Sequence, residues 1–131
     1  MKRLIIGMSG ASGLIYGIRL LEVLKHTDDV ETHLVMTPSA RLNISLETDW
    51  QADEVIAMAD QFHSVKDLAA SIASGSYRTD GMVVAPCSIK TLSAIANCYA
   101  DNLLTRAADV VLKERRRLVL MPRETPLHTG H

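Results

Sequence analysis

The sequence is short of several things, and each shortage removes a class of protein. It has two cysteines, Cys87 and Cys98, in 131 residues. That is too few for a disulfide framework, and their spacing makes no CxxC pair. Neither sign of charge dominates, since 14 Lys plus Arg stand against 15 Asp plus Glu for a formal net charge of −1. A balance of this kind gives no general affinity for nucleic acid. No apolar run approaches the roughly 20 residues that a membrane span needs. The apolar stretch after Met1-Lys2-Arg3 is broken at Ser9-Gly10, too early for a secretory leader. The five histidines, His26, His33, His63, His128 and His131, show no HxxxH spacing, and GxxxxGK[ST] is absent. There is no internal repeat and no low-complexity linker. The expectation is a cytoplasmic protein with free thiols, no metal, and neither membrane nor nucleic acid as a partner.

What is present describes a packed domain. Hydrophobic residues make up 47% and charged residues 22%, too apolar for disorder. A length of 131 residues gives one domain, 1–131, able to bury a core without staples. Residues 3–8 read as a buried parallel strand ending in a glycine-rich turn. Ser12 sits where an N-cap is wanted, and Leu14, Ile15, Ile18, Leu21 and Leu24 give a helix over about 13–25. A second strand covers 30–36. Thr37 then caps a helix begun by Pro38 and running towards Leu46. Helices are expected over 49–59 and 65–73. A third strand, 82–85, stops at Pro86, and Ser88 caps the helix carrying Leu92 and Ile95. A helix over 101–114 precedes a fourth strand, 118–121, stopped by Pro122. Strands alternating with helices predict an α/β fold with a mainly parallel sheet. Right-handed crossovers line up the loops after the strands along one sheet edge, where ligands of such folds bind. Residues 123–131 begin like a loop after a strand. A doubly wound sheet continues there with a covering helix, so the expectation is a fragment or a flank covered by a partner subunit.

That edge collects the chemistry. Gly7-Met8-Ser9-Gly10-Ala11-Ser12-Gly13 joins a strand to a helix N-terminus, which suits a phosphate or flavin edge. The spacing is not GxGxxG, and a plain tight turn is the competing reading. Thr37 and Ser88-Ile89-Lys90-Thr91 repeat the arrangement at two more strand ends, each also readable as an ordinary cap. Three such ends on one edge favour a phosphate-bearing ligand. Arg106 and Lys113, seven residues apart, share a helix face about 10 Å apart along its axis, either as an anion site or as a solvated stripe. Arg123 and Glu124 follow the last strand. Glu47 is an isolated carboxylate at a helix end, and Arg115-Arg116-Arg117 reads as a solvated turn. Cys87 has no His in a partner position and reads as a small core residue. Trp50 is a lone aromatic.

Several of these segments occur together in a known order. Gly10-Ala11-Ser12-Gly13, Glu47-Thr48-Asp49, Ser74-Gly75-Ser76-Tyr77-Arg78-Thr79-Asp80-Gly81-Met82, Pro86-Cys87-Ser88-x-Lys90-Thr91-Leu92, Asn102-Leu103-Leu104-x-Arg106-Ala107-Ala108-Asp109-Val110, Leu112-Lys113-Glu114-Arg115 and Pro122-Arg123-Glu124-x-Pro126-Leu127 follow one another. The chain from about Met1 to Leu127 resembles the flavin prenyltransferase, or UbiX-like, family, with the branch associated with phenolic-acid decarboxylases most similar.

The resemblance implies a flavodoxin-like, Rossmann-like three-layer fold, lacking the family's C-terminal part, in a homo-oligomeric FMN protein. It implies transfer of a dimethylallyl group from dimethylallyl monophosphate to N5 and C6 of reduced FMN, giving prenylated FMN for a UbiD-type decarboxylase. It assigns Gly10, Ala11, Ser12, Thr37, Ser88, Ile89, Lys90, Thr91 and Arg123 to FMN. It assigns Arg106, Lys113 and Glu124 to the prenyl phosphate, and catalytic proton steps to Ser12, Glu47 and Glu124. The alternatives are a truncated form that binds FMN without turnover and a flavin-dependent peptidyl-cysteine decarboxylase relative.

Overall fold

The computed structural model describes residues 1–122. In chain order they form β1 (Lys2–Met8), α1 (Leu14–Lys25), β2 (Val30–Met36), α2 (Pro38–Glu47), α3 (Ala52–Met58), β3 (Gln61–His63), a 3₁₀ turn (Ser71–Ala73), β4 (Gly81–Cys87), α4 (Ile89–Ala96), α5 (Leu103–Lys113) and β5 (Arg117–Pro122). The strands make one sheet in the order β3-β2-β1-β4-β5. Every pairing is parallel, with Leu4 opposite both Thr32 and Gly81. The chain moves outward from β1 through β2 to β3, then returns to the other side of β1 to lay down β4 and β5. The order of travel reverses between β1 and β4, and a crevice opens there at the carboxyl ends of the strands.

Alternation along the strands divides the core in two, because successive side chains point to opposite faces. Ile5, Val35, Met82 and Val84 pack with Leu103, Leu104, Ala107, Ala108 and Val111 of α5. Ile6, Met8, Leu34 and Met36 pack on the other face with Leu14, Ile18 and Leu21 of α1 and Val55 of α3. Trp50 is partly buried against this second cluster, which accounts for the lone tryptophan. The central strands are covered on both faces, as a parallel sheet requires. The outer strand β5 is covered less well, and Val119 keeps 46% of its surface exposed.

Among the described residues five strands stand where four are expected. The additional one, β3, is three residues at the sheet edge, too short to show a pattern. Its start is fixed by Asp60, whose carboxylate accepts from Thr32 N at 2.8 Å while Thr32 Oγ1 accepts from Asp60 N at 3.0 Å. The helix expected over 65–73 is absent. Side chains there take the backbone donors for local turns: Ser64 Oγ accepts from Lys66 N at 3.3 Å and Asp67 Oδ1 from Ala69 N at 3.1 Å. Only the 3₁₀ turn survives. The helix expected over 49–59 starts at Ala52, because Gln51 and Glu54 form a reciprocal capping box. Pro86 does not end β4. The strand bulges between Val84 and Cys87 and carries on to pair Cys87 with Pro122.

Gly17 shows how tightly α1 lies on the sheet. A Cβ there would meet the Ala85 carbonyl oxygen and the Met8 side chain. The backbone oxygen cannot rotate away, so Gly17→Ala forces α1 off β4. The expected cost is roughly 1–3 kcal/mol, read as a melting temperature several degrees lower with the fold retained by circular dichroism.

Candidate functional site

The site is built on the loops leaving β1, β2 and β4, which are stitched together before any ligand is considered. Ser9, 1% exposed, is the central stitch. Its amide donates to Pro86 O at 3.1 Å and its hydroxyl to the same oxygen at 2.9 Å. Ser88 N in turn donates to Ser9 Oγ at 2.7 Å. On the other side, Thr37 N donates to Met8 O at 2.9 Å. The ends of β2 and β4 are thereby both held to that of β1.

Each loop then starts a helix. Thr37 Oγ1 accepts from Ala40 N at 3.2 Å, and Ser88 Oγ accepts from Thr91 N at 3.2 Å while donating to Thr91 Oγ1 at 3.0 Å. The caps expected at Thr37 and Ser88 are therefore formed. The cap expected at Ser12 is not. Gly13 occupies that position at φ 97°, a left-handed conformation suited to glycine, and offers no side-chain acceptor. Ser12 is exposed instead. Gly10 admits close approach, because a Cβ there would run into the Cβ of Ser39 at the start of α2.

Between these loops lies a cavity of about 350 Å³, lined by Gly10, Thr37, Ser39, Ser88, Lys90, Thr91 and their neighbours. Five of the expected FMN residues, Gly10, Thr37, Ser88, Lys90 and Thr91, thus face one space. Ala11, Ser12 and Ile89 stand beside it in the same two loops. Lys90 is its one charged lining residue among those described. Sequence reasoning assigned no role to four further residues: Ser9, and Ser39, Val65 and Asn102 of the lining. Asn102 was legible, since it caps α5 through Oδ1, which accepts from Thr105 N at 3.0 Å. Val65 was not, because the pattern of its loop resembles a helix.

Arg106 and Lys113 come together as their spacing requires. They line a second cavity of about 320 Å³ with Ser74, Gly75 and Asp109, and Arg106 Nε donates to Ala73 O at 3.4 Å. α5 begins at Asn102, on the rim of the first cavity, and carries its cations to the second. Glu47 lies elsewhere. It is exposed at the C-terminal end of the ten-residue α2, roughly 15 Å along the axis from Thr37, and does not line its own chain's cavity. Arg123 and Glu124 lie outside the described residues.

Cys87 is buried beside this site, and burial pushes its thiol up to about 11. It is a packing residue with almost no thiolate at neutral pH.

The comparisons with known proteins concern the family and the fold that carries these loops. The chain matches the family model described as Flavoprotein over residues 1–127. It is 66% identical over 131 residues to the flavin prenyltransferase UbiX of Escherichia coli strain K12, an alignment covering 100% of this chain and 69% of that protein. The alignment runs to the last residue, past the Leu127 limit expected above. The crystal structure of a dodecameric FMN-dependent UbiX-like decarboxylase from Escherichia coli O157:H7 matches with a TM-score of 0.96 at 57% identity, covering 97% of this chain and 69% of that one. AnUbiX (PadA1), in complex with FMN and dimethylallyl pyrophosphate, matches at 0.95 and 51%, covering 98% and 68%. The FMN-dependent cysteine decarboxylase TvaF, at 21% identity and a TM-score of 0.71 over 96% of this chain and 75% of that one, shares the fold alone.

Two measurements check this geometry. Ser9→Ala leaves the Ser88 amide without its acceptor, a loss of about 1–3 kcal/mol, expected as a lower midpoint in denaturant unfolding together with weaker flavin retention. Alkylation of the native protein near pH 8 is expected to modify exposed Cys98 and leave Cys87 untouched, as peptide mass analysis reads directly.

Proposed function

Given that the chain belongs to the flavoprotein family, among the flavin prenyltransferases, we propose that it joins a dimethylallyl group from dimethylallyl monophosphate to reduced FMN. The observation that carries this reading is the convergence of Gly10, Thr37, Ser88, Lys90 and Thr91 on one cavity at the reversal of the strand order.

The donor set fits FMN. α2 and α4 meet their own first-turn amides with Thr37 and Ser88 hydroxyls. α1, capped by Gly13, supplies no such acceptor, so its N-terminus remains available to a phosphate next to the glycine loop. Lys90 adds a formal positive charge at the rim, and Ala11, Ser12 and Ile89 complete the two loops that would grip the flavin. Arg123 belongs to the same reading.

When bound, reduced FMN supplies the electron-rich ring that accepts the prenyl carbon. The chain's own residues handle the leaving group. As the allylic phosphate departs, negative charge grows on its oxygens, and fixed cations stabilise that charge more than they stabilise the starting ester. Arg106 and Lys113, held on one rigid helix, take this role, and Glu124, facing the same phosphate, is the proton acceptor of the ring-closing step. Ser12 holds a proton near the flavin. Glu47 is too far from its own chain's cavity, so its acid–base role is exercised in the cavity of a neighbouring subunit. This in turn makes the protein a homo-oligomer. The product, prenylated FMN, passes to a UbiD-type decarboxylase in the cytoplasm, where both thiols stay reduced.

Anaerobic incubation with FMN, a reductant and dimethylallyl monophosphate is expected to yield a flavin heavier by one dimethylallyl unit in mass spectrometry. Unmodified FMN after full reduction would overturn the reading. Lys113→Ala is expected to lower the transfer rate by about 10²–10³-fold while FMN binding is unchanged.

A further inference from the structure

A chain of polar side chains runs along the β2–β3 side of the sheet and belongs to none of the roles above. His33, 1% exposed, lies between two partners. Its Nε2 is 2.6 Å from a carboxylate oxygen of Glu31, and its Nδ1 is 2.9 Å from Nε2 of His63. The two imidazole planes differ by 6°, with centroids 5.2 Å apart. With the nitrogens 2.9 Å apart, that separation is reached only when they point straight at one another. The rings meet edge to edge through one N–H···N bond.

The protons can be counted. The ionised Glu31 carboxylate only accepts, so His33 Nε2 carries a hydrogen. The gap between the rings then holds one hydrogen. In the neutral pair His63 Nε2 donates to His33 Nδ1. Adding one proton leaves the gap intact, because either ring can still accept from the other. Adding a second places hydrogens on both facing nitrogens and two positive charges on touching rings, and the gap must open.

The other groups around the pair do not cancel this. Tyr77 OH lies 3.4 Å from His33 Nε2. The Arg3 guanidinium sits 4.3 Å above the Tyr77 ring and 3.7 Å from Glu31, which occupies part of the carboxylate's charge. Asp67 favours a charged His63, but burial and the neighbouring His33 outweigh it and hold His63 below the ordinary 6.5. Unfolded His63 therefore takes up a proton more readily than folded His63. The stabilisation is present above about pH 6.5 and is lost as the pH falls through the lowered value.

The bond has a mechanical role. β3 is three residues long and is joined to the sheet only through β2. Its first end is anchored by the Asp60–Thr32 pair, and its other end by His63. Two residues later Val65 lines the proposed FMN cavity and accepts from Leu103 N at 2.8 Å. We propose that His33 and His63 are positioning residues for the cofactor cradle: their shared proton clasps the end of β3 to β2, and protonation of both rings releases the segment carrying Val65, so that FMN is let go in acid.

This rests on the flavin reading of the cavity, and the test separates the two. FMN affinity and amide hydrogen exchange of residues 61–65 are measured from about pH 7.5 to about 5.5, in the wild type and in His63→Gln. The glutamine can still donate to His33 Nδ1 but does not titrate. The wild type is expected to lose roughly tenfold in FMN affinity, with protection at 61–65 falling over the same range. His63→Gln is expected to hold both nearly constant. FMN's own phosphate titrates identically in the two proteins, so the difference isolates the clasp. A second readout needs no flavin: the imidazole NMR signal of His63 should move over the same pH range in which protection at 61–65 is lost. Parallel pH profiles in the two proteins, or a His63 signal that moves with no change in protection at 61–65, would overturn the clasp. No FMN binding at any pH, with pH-dependent exchange retained, would overturn the flavin reading and leave the clasp standing.

Discussion

One hydroxyl holds the working edge of this molecule together. Ser9 directly follows the central strand and bonds at once to the carbonyl of Pro86 and the amide of Ser88. A parallel sheet brings every strand's carboxyl end to the same edge, but does not by itself keep the loops in register. At the reversal between β1 and β4 no crossover joins the two loops directly, so a buried side chain does. Removing it would leave the Ser88 amide without its acceptor next to the cavity, while Pro86 O keeps the bond from Ser9 N.

The rest of the edge follows from that stitch. With β4 pinned to β1, α4 starts where Ser88 and Thr91 can cap it and Lys90 can reach the rim. With β2 pinned through Thr37, α2 starts against the glycine loop, and Gly10 tolerates the contact because it has no side chain. α5 links this cradle to the second cavity, taking Asn102 at one end and Lys113 at the other. The proposed flavin and phosphate grips thus stand on rigid elements, the arrangement that electrostatic stabilisation of a leaving group requires. The matching proteins include UbiX of Escherichia coli and AnUbiX, which was crystallised with FMN and dimethylallyl pyrophosphate. The present chain carries both cavities.

Most of the sheet was readable because buried parallel strands are continuous apolar runs, as in Leu4-Ile5-Ile6, and because Thr37 and Ser88 are side-chain caps that state where a helix begins. The five cradle residues were readable for the same reason: each sits just past a strand. Val65 and β3 were not readable. Three residues at a sheet edge have no period, and Ser64 and Asp67 divert the backbone into turns that resemble a helix in composition. Ser12 illustrates the opposite error, since a good capping residue lost its place to Gly13, whose backbone alone can adopt the left-handed turn.

The amino-acid order by itself determined the class of fold, the common edge and the family, because periodicity, caps and motif order are properties of neighbours along the chain. Tertiary structure decided that Ser9 reaches Pro86 and Ser88 across 77 and 79 positions, that Arg106 and Lys113 open onto a separate cavity, that Glu47 lies away from its own cradle, and that His33 meets His63. Those contacts depend on where crossovers place distant segments, and spacing along a chain carries no record of that.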